Sequence, residues 1–583
     1  MGETQSNLVV ADYVLVVGFF VVMLAIGIYF AGRMRDMKDY FAGGKQVPWW
    51  LSSVSYWMSS FSAFAFVALS AMAYKHGFVA VTMWWIIAAL TVLTGHLVAA
   101  RWRRVATTSP LEFVEQRYGV VMRQGLSYLG GVLIVLDDAT KIVAIGMVVS
   151  VSLGFPTMGA ILACGLIMLT YTLLGGLWAV LITDMVQFIV MLTAVIVLVP
   201  LTLIRVGGVA GFVEKLPEDA WALTGGKYTL TFLSVLGFLQ LLNLSTRWSL
   251  VQRFYAVPSD ADARKVCYLA AVLFFVVAPV LLFPAIAASI FLPGEGNPDR
   301  IYGLLCRELL PVGMLGMLVA AIFSATMSSL SSDYNAVASV LTTDVYKRLV
   351  VRSASDRHYV AAGRVFTLIV GLVTVGIALA MAKLAEGTLL FDLMVMIFTL
   401  LGPPTMLPVL AGLLSRRVSG AGALCGMVTG VVVGLVAGFF GSALLYLLDT
   451  IAAPLVGHAV AVEEISETAF MTISIASTTV GLIVGSILWP GSSKTRERVR
   501  RFLTGLTARE IPQAASPDSG DTKVSPVPIV GAAVAVLGGL LLVVVLASVP
   551  IGQGTCSLVV GSSMLVLGSG LIVLSWLYRR GSA

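Results

Sequence analysis

Long apolar runs separated by short polar stretches organise this chain from end to end. Runs long enough to cross a bilayer fall at about 8–31, 49–74, 77–103, 123–152, 155–174, 176–206, 229–255, 266–292, 310–345, 358–383, 389–414, 419–447, 468–491, 527–549 and 556–578. The pattern predicts an all-α polytopic membrane protein with about fifteen transmembrane helices. The division at Gly175-Gly176 is the narrowest. The first run has no basic residue ahead of it, so it reads as a spanning helix and not as a signal peptide.

Charge orients these runs. Alternate loops carry Arg33, Arg35 and Lys38; Arg101, Arg103 and Arg104; Arg253 to Lys265; Lys347 to Arg364; Arg416 and Arg417; Lys494 to Arg501; and Arg579 and Arg580. The opposite set holds Lys75, Arg205, Lys215, Lys227, Arg300, Arg307 and Lys383. The excess of basic residues marks the cytoplasmic side, placing the amino terminus outside and the carboxyl terminus inside. Residues 1–6 match a myristoylation pattern, which an external amino terminus makes irrelevant.

Composition agrees. Of 583 residues, 58% are hydrophobic and 11% charged, with a mean hydropathy of +0.97; a soluble domain carries about 25% charge. The net charge of +7 is mostly anchoring charge on the basic face and no argument for nucleic acid. Five cysteines and four histidines are dispersed, without metal-ligand or disulfide spacing. After the basic run 494–501, the segment 511–528 reads as a flexible linker before a final helix pair. No obligatory protein partner is evident; the bilayer, a small solute and an ion are the partners expected.

Inside the spans, polar chemistry concentrates at two places. Between Val319 and Asp333 small and hydroxyl residues accumulate in one helix; at 100° per residue Ala325, Ser328, Ser329 and Ser332 share a face, with Ser331 beside Ser328. Such a face offers oxygen ligands to a bare cation, or close helix packing with hydroxyls bonded back to their own helix. Six ionisable residues within spans also stand out: Asp137, Asp138, Lys141, Asp184, Arg247 and Asp333. Their formal sum is −2, which two monovalent cations would cancel. Asp137 and Asp138 stand four and three residues from Lys141, spacing that suits an ion pair as well as a ligand contact. Arg247 falls near a predicted helix end, where snorkelling would explain it. Nothing basic lies within a turn or two of Asp184.

With these residues laid out, the chain resembles the sodium:solute symporter family, over about 8–490. The resemblance rests on the order and spacing of separated blocks: Asp39 to Trp50 (DYFAGGKQVPWW), Tyr171 to Gln187 (YTLLGGLWAVLITDMVQ), Gln252-Arg253, Ser328-Ser329, Asp344 to Lys347 (DVYK) and Leu401 to Pro404 (LGPP). It implies a leucine-transporter-like fold of two inverted five-helix repeats. Residues 1–48 would form an extra helix and loop, 49–206 the first repeat, 207–414 the second, 415–491 two peripheral helices, 492–526 a cytoplasmic linker and 527–583 the added C-terminal pair. It further implies a first sodium site at the Met58 and Phe61 carbonyls with Ala325, Ser328 and Ser329, which requires the helix around 58–61 to be unwound. A second sodium site, known in some sialic acid transporters of the family, maps onto Asp184, Ser328, Ser331 and Ser332; the competing reading makes Asp184 a structural residue bonded to those serines.

The substrate region maps onto Ser60, Ala65, Asp137, Asp138, Lys141, Gln240 and Asn243, where the sugar-binding and sialic-acid-binding residues of the family are replaced. Asp333 stands where an uncharged residue is expected, as a site for a proton, a substrate cation or neither. The expectation is a sodium-coupled symporter in a bacterial-type plasma membrane, co-transporting sodium with a small polar solute, such as a sugar or small organic acid, by alternating access. The alternatives are proton coupling through Asp184 or Asp333, and a solute-sensing receptor. An enzyme is not expected, because the buried polar residues show no nucleophile with an adjacent base and no histidine cluster.

Overall fold

A computed structural model of the protein describes residues 10–31, 46–105, 110–172, 177–311, 313–384, 389–456, 466–507, 526–548 and 555–581. The myristoylation-like start, most of the block 39–50, Gly175-Gly176 and the greater part of the 511–528 linker lie outside the described residues.

The described residues are helical throughout, apart from turns and one isolated bridge between Gly225 and Tyr228. Eleven helices are long and apolar enough to cross a membrane. The other four expected runs are helical too, but each departs from a plain apolar span. The run after Trp49 is interrupted, Val120–Leu153 carries buried charge, Thr157–Thr172 is short, and Leu230–Thr246 is short and stops at a break. A multi-pass membrane protein is therefore established, and the count of fifteen is not.

The helix Met314–Val340 is the centre of the molecule. Its most apolar stretch is wholly buried. It packs against Val10–Ala31, Val120–Leu153, Leu177–Val206 and Asp356–Leu384. Its serines and small residues suit it to this place, since protein surrounds it on all sides and lipid touches it nowhere along that stretch.

Two helices break beside it. Trp49–Ser59 stops where Ser60 donates its N–H to the carbonyls of Tyr56 and Trp57, and the chain is non-helical at Phe61 and Ser62 before a helix resumes towards His76. A break at membrane depth must satisfy the amides it frees. Ser62 Oγ accepts the Phe64 N–H at 3.3 Å, and Thr326 Oγ1 of the central helix accepts the Ala63 N–H at 2.9 Å. The second break lies between Leu230–Thr246 and Trp248–Tyr255, where Arg247 adopts an extended conformation, with ψ near 129°.

The basic loops gather at one end. Arg101 donates to the Leu413 carbonyl, Arg103 and Arg104 pair with Asp260, Arg104 also reaches the Leu506 carbonyl, and Arg117 binds the carbonyls of Gly412, Ser415 and Val418. Nearby, Arg123 bridges Glu115 and Asp344, and Arg348 closes on Glu115. Loops of the other set contact one another, as in Lys227 with Asp392 and Glu467, and Arg205 with Glu308. Within the expected linker, Ser493–Thr507 is a helix whose Val499, Leu503 and Leu506 are buried, with the Phe502 ring beside Phe113.

The first helix holds the central one by its start. Asp12, buried, accepts the N–H groups of Gly313 and Gly316 at 3.0 and 2.8 Å, capping two amides that would otherwise lack a partner. The backbones approach so closely that a Cβ on Gly316 would sit 2.3 Å from the Asp12 carbonyl oxygen. The C-terminal helices Pro526–Ser548 and Thr555–Gly581 pack backbone to backbone through Gly531, Gly538, Gly561 and Gly568, and the former lies against Val10–Ala31.

Candidate functional site

Where the first break meets the central helix, the residues of the first expected ion site come together. Met58 and Phe61 are buried, and the Met58 carbonyl accepts the Phe61 N–H at 3.1 Å. Thr326, flanked by Ala325 and Ser328-Ser329, is bonded to Ala63 across the same interface. Ser329 Oγ donates to the Thr326 carbonyl and keeps its oxygen lone pairs, and Phe61 and Ser329 both line one internal cavity.

The second expected set is also adjacent, with a residue the sequence reading left without a role. Asp184, fully buried, accepts from Ser55 Oγ through Oδ2. Arg253 Nη2 lies 3.7 Å from the same oxygen, close enough for charge attraction but too far for a hydrogen bond. The guanidinium also donates to Ser55, Ser59 and Ser332. Asp184 therefore does have a basic neighbour, supplied by tertiary structure from a distant helix. Ser331 Oγ donates to the Ser328 carbonyl, and Ser332 accepts from Arg253, so neither bonds Asp184 as the structural reading required. Ser328 adjoins Asp184. Ser328 Oγ and Asp184 Oδ1 are nonetheless buried without an aligned hydrogen-bond partner. Asp184 thus keeps a buried carboxylate oxygen without an aligned partner, in a carboxylate that Ser328 also reaches, an arrangement that suits a hard cation.

The remaining charges form one cluster. Lys141 Nζ lies 3.0 Å from Asp137, 2.6 Å from Asp138 and 3.1 Å from Asp333. Arg247 Nη2 is 2.6 Å from Asp137 Oδ2 and closer still to Asp333 Oδ2. Arg247 is thus a buried member of an ion-pair network, not a snorkelling residue; the helix break turns it inward. The three carboxylates approach closely enough to hold a metal ion. Lys141 stands within reach of all three, so the cations among them are the protein's own. Asp333 is engaged by both.

The cavity, of about 140 Å³, brings together Ser60, Ala65, Asp137, Lys141, Gln240 and Asn243 from the expected substrate region, and adds Arg247. Asp138 is not on its wall; it is fully buried behind Lys141, with Oδ2 unpartnered. Sequence reasoning missed Arg253 and Asp12. Asp12 could have been found as an acidic residue inside an apolar run; Arg253 had a signal in the Gln252-Arg253 block, but no partner could be read for it.

Comparison with known proteins places these features. Over 494 residues the chain is 24% identical to the sodium/sialic acid symporter NanT of Aliivibrio fischeri, covering 78% of this chain and 95% of that protein. It is 25% identical to the sodium/glucose cotransporter of Vibrio parahaemolyticus, covering 73% and 85%. A solved Na+-coupled sialic acid symporter, captured substrate-bound and outward-open, shares the fold, with a TM-score of 0.69 at 21% identity over 82% of this chain and 98% of that one. These relatives are transporters and not enzymes. The sequence profile of the sodium:solute symporter family matches residues 40–430, and the chain belongs to that family.

Proposed function

We propose that the protein is a sodium-coupled secondary importer of a small polar solute, working by alternating access in a bacterial-type plasma membrane. In this reading the chain crosses fifteen times, amino terminus outside and carboxyl terminus inside, with repeats 49–206 and 207–414 inverted relative to each other. The two breaks, near 60–62 and at Arg247, support it, since each falls in the first long helix of its repeat and both border the cavity. Broken helices at midplane are how such transporters present ligands.

One sodium ion binds the Met58 and Phe61 carbonyls, the Ala325 carbonyl and the Ser328 and Ser329 hydroxyls, fastening the broken helix to the central one. A second binds Asp184 Oδ1 and Ser328 Oγ, with Ser331 and Ser332 at its edge and Arg253 sharing the carboxylate. The observation that carries this reading is the buried Asp184 Oδ1, which has no hydrogen-bond partner among the described residues, in a carboxylate that Ser328 also reaches. Sodium promotes transport because it binds the solute-competent conformation better than the others. One ion moving down ~100 mV and a tenfold gradient releases about 3.7 kcal/mol, enough for several hundredfold accumulation; two ions support roughly 10⁵-fold.

The test is thermal unfolding of purified protein in NaCl against KCl, for wild type, Asp184→Ala and Ser329→Ala. Sodium is expected to stabilise wild type, with each substitution removing a separable part of the response. Equal effects of the two salts, with uptake driven instead by a pH gradient, would replace sodium by proton coupling.

A further inference from the structure

The cavity joins two kinds of surface. Most of its wall is apolar, including Leu233, Leu236, Leu250, Trp84, Phe391 and Phe398. Its polar end carries Gln240, Asn243, Asp137 and Arg247. At that end charges of both signs have capacity left. Asp137 Oδ2 receives both Arg247 and Lys141, while Asp137 Oδ1 makes no hydrogen bond to any described residue. Arg247 bonds through Nε and Nη2, leaving the Nη1 donors without a partner among the described residues. Asn243 Oδ1 is also buried and unpartnered. Both charged side chains are more than nine-tenths buried, so these unused positions sit in a medium where pairing counts for much more than in water.

Charge balance and size narrow the ligand. Three aspartates against one lysine and one arginine leave the cluster at −1. A simple anion would meet Arg247 but face that surplus negative charge; a simple amine would meet Asp137 and leave the Arg247 donors unsatisfied. A solute bearing both charges satisfies both. The cavity, of about 140 Å³, has room for a small molecule. The ring of hydroxyls of a pyranose would face Leu, Phe and Trp side chains that offer no partners.

We propose that the transported solute is a small zwitterion with an apolar body, its carboxylate held by Arg247 Nη1, its ammonium by Asp137 Oδ1, and its body directed to Leu233, Leu236, Phe391 and Phe398. This rests on the transport reading above and assigns Asp137 and Arg247 as the residues that select the solute. Lys141 and Asp333 position them.

The experiment is a binding panel on the purified full-length protein, read as saturable shifts in melting temperature in NaCl and, separately, in KCl. The zwitterions are L-leucine, L-proline, β-alanine and glycine betaine; the single-charge controls for leucine are 4-methylpentanoate and 3-methylbutylamine, with acid and amine counterparts for the others; glucose is the neutral control. At least one zwitterion is expected to bind, and loss of either charge is expected to weaken it roughly tenfold to a hundredfold. Asp137→Asn should weaken the zwitterion about tenfold and leave the response to sodium alone intact. The proposal is overturned if no zwitterion in the panel binds, if glucose or a single-charge analogue binds as tightly, or if Asp137→Asn binds the zwitterion like wild type. Should that variant fail to fold, the wild-type panel decides. Zwitterion binding that is equal in NaCl and KCl upholds the solute assignment and sinks sodium coupling; a sodium response with no zwitterion binding does the reverse.

Discussion

Two groups of buried charge border the central helix, and they are built on opposite principles. Around Asp333, five charged side chains neutralise one another almost completely, with Lys141 touching three carboxylates and Arg247 two at close range. Around Asp184, a single carboxylate meets one guanidinium at 3.7 Å and a set of hydroxyls, and its Oδ1 remains unpartnered. In the first group the shared contacts hold a shape, with Asp137 Oδ1 and Arg247 Nη1 left over. A carboxylate left partly unpaired holds a place for something that arrives and leaves.

The contrast is sharpest if a member of the dense group is removed. Asp333→Ala removes the carboxylate that both Lys141 and Arg247 hold and leaves their buried donors short of a partner, and a loss of about 3–5 kcal/mol is expected in thermal unfolding, with no change in the difference between NaCl and KCl. A change in that difference would merge the two groups. Thr326→Val deletes the acceptor for the Ala63 N–H, a buried donor, and should cost about 2 kcal/mol together with part of the sodium response. Arg253→Gln should act in the opposite sense on ion binding. With the guanidinium gone, Asp184 depends wholly on the arriving cation, so the sodium concentration at half-maximal stabilisation is expected to fall about tenfold, equivalent to ~1.4 kcal/mol. Unchanged or weakened sodium binding would make Arg253 part of the ion site and not its competitor.

The smallest effect lies at the basic end, outside the spans. The hydrogen bond from Arg348, and then that from Arg123, hold the Glu115 carboxyl below its ordinary 4.5. A depressed folded-state value means that the stabilisation is present above the unfolded value and is lost as pH falls through the folded one. The contribution should therefore disappear below about pH 4.5. Because Glu115 is partly solvent-accessible, screening keeps it under ~1 kcal/mol. Glu115→Gln should flatten that part of the melting-temperature profile and leave the sodium response untouched.

Much of this was legible in the chain. Apolar run lengths gave the all-helical, multi-pass character, and the spacing of Asp137 and Asp138 from Lys141 gave part of the dense group, because i, i+3 and i, i+4 neighbours are fixed by helix geometry. The first break was expected from the family resemblance, and Ser59, Ser60 and Ser62 are compatible with it, since hydroxyls can replace lost backbone bonds. The second break had no such mark, because no glycine or proline stands at Thr246-Arg247 and the arginine is held there by carboxylates from two other helices. The same limit hid the pairing of Arg253 with Asp184, residues that sequence separates and only packing joins. The docked helix Ser493–Thr507 had no mark in the chain beyond its basic run, because its apolar face is defined only by what it packs against.

The cap that Asp12 places on the central helix has a consequence for assembly. The carboxylate precedes the two amides it satisfies by 301 and 304 residues, so the ribosome delivers the first helix to the membrane long before its partner exists. The Asp12 carboxylate cannot meet these two amides until Gly313 and Gly316 have been made, so the seating of the central helix depends on a residue inserted well before it.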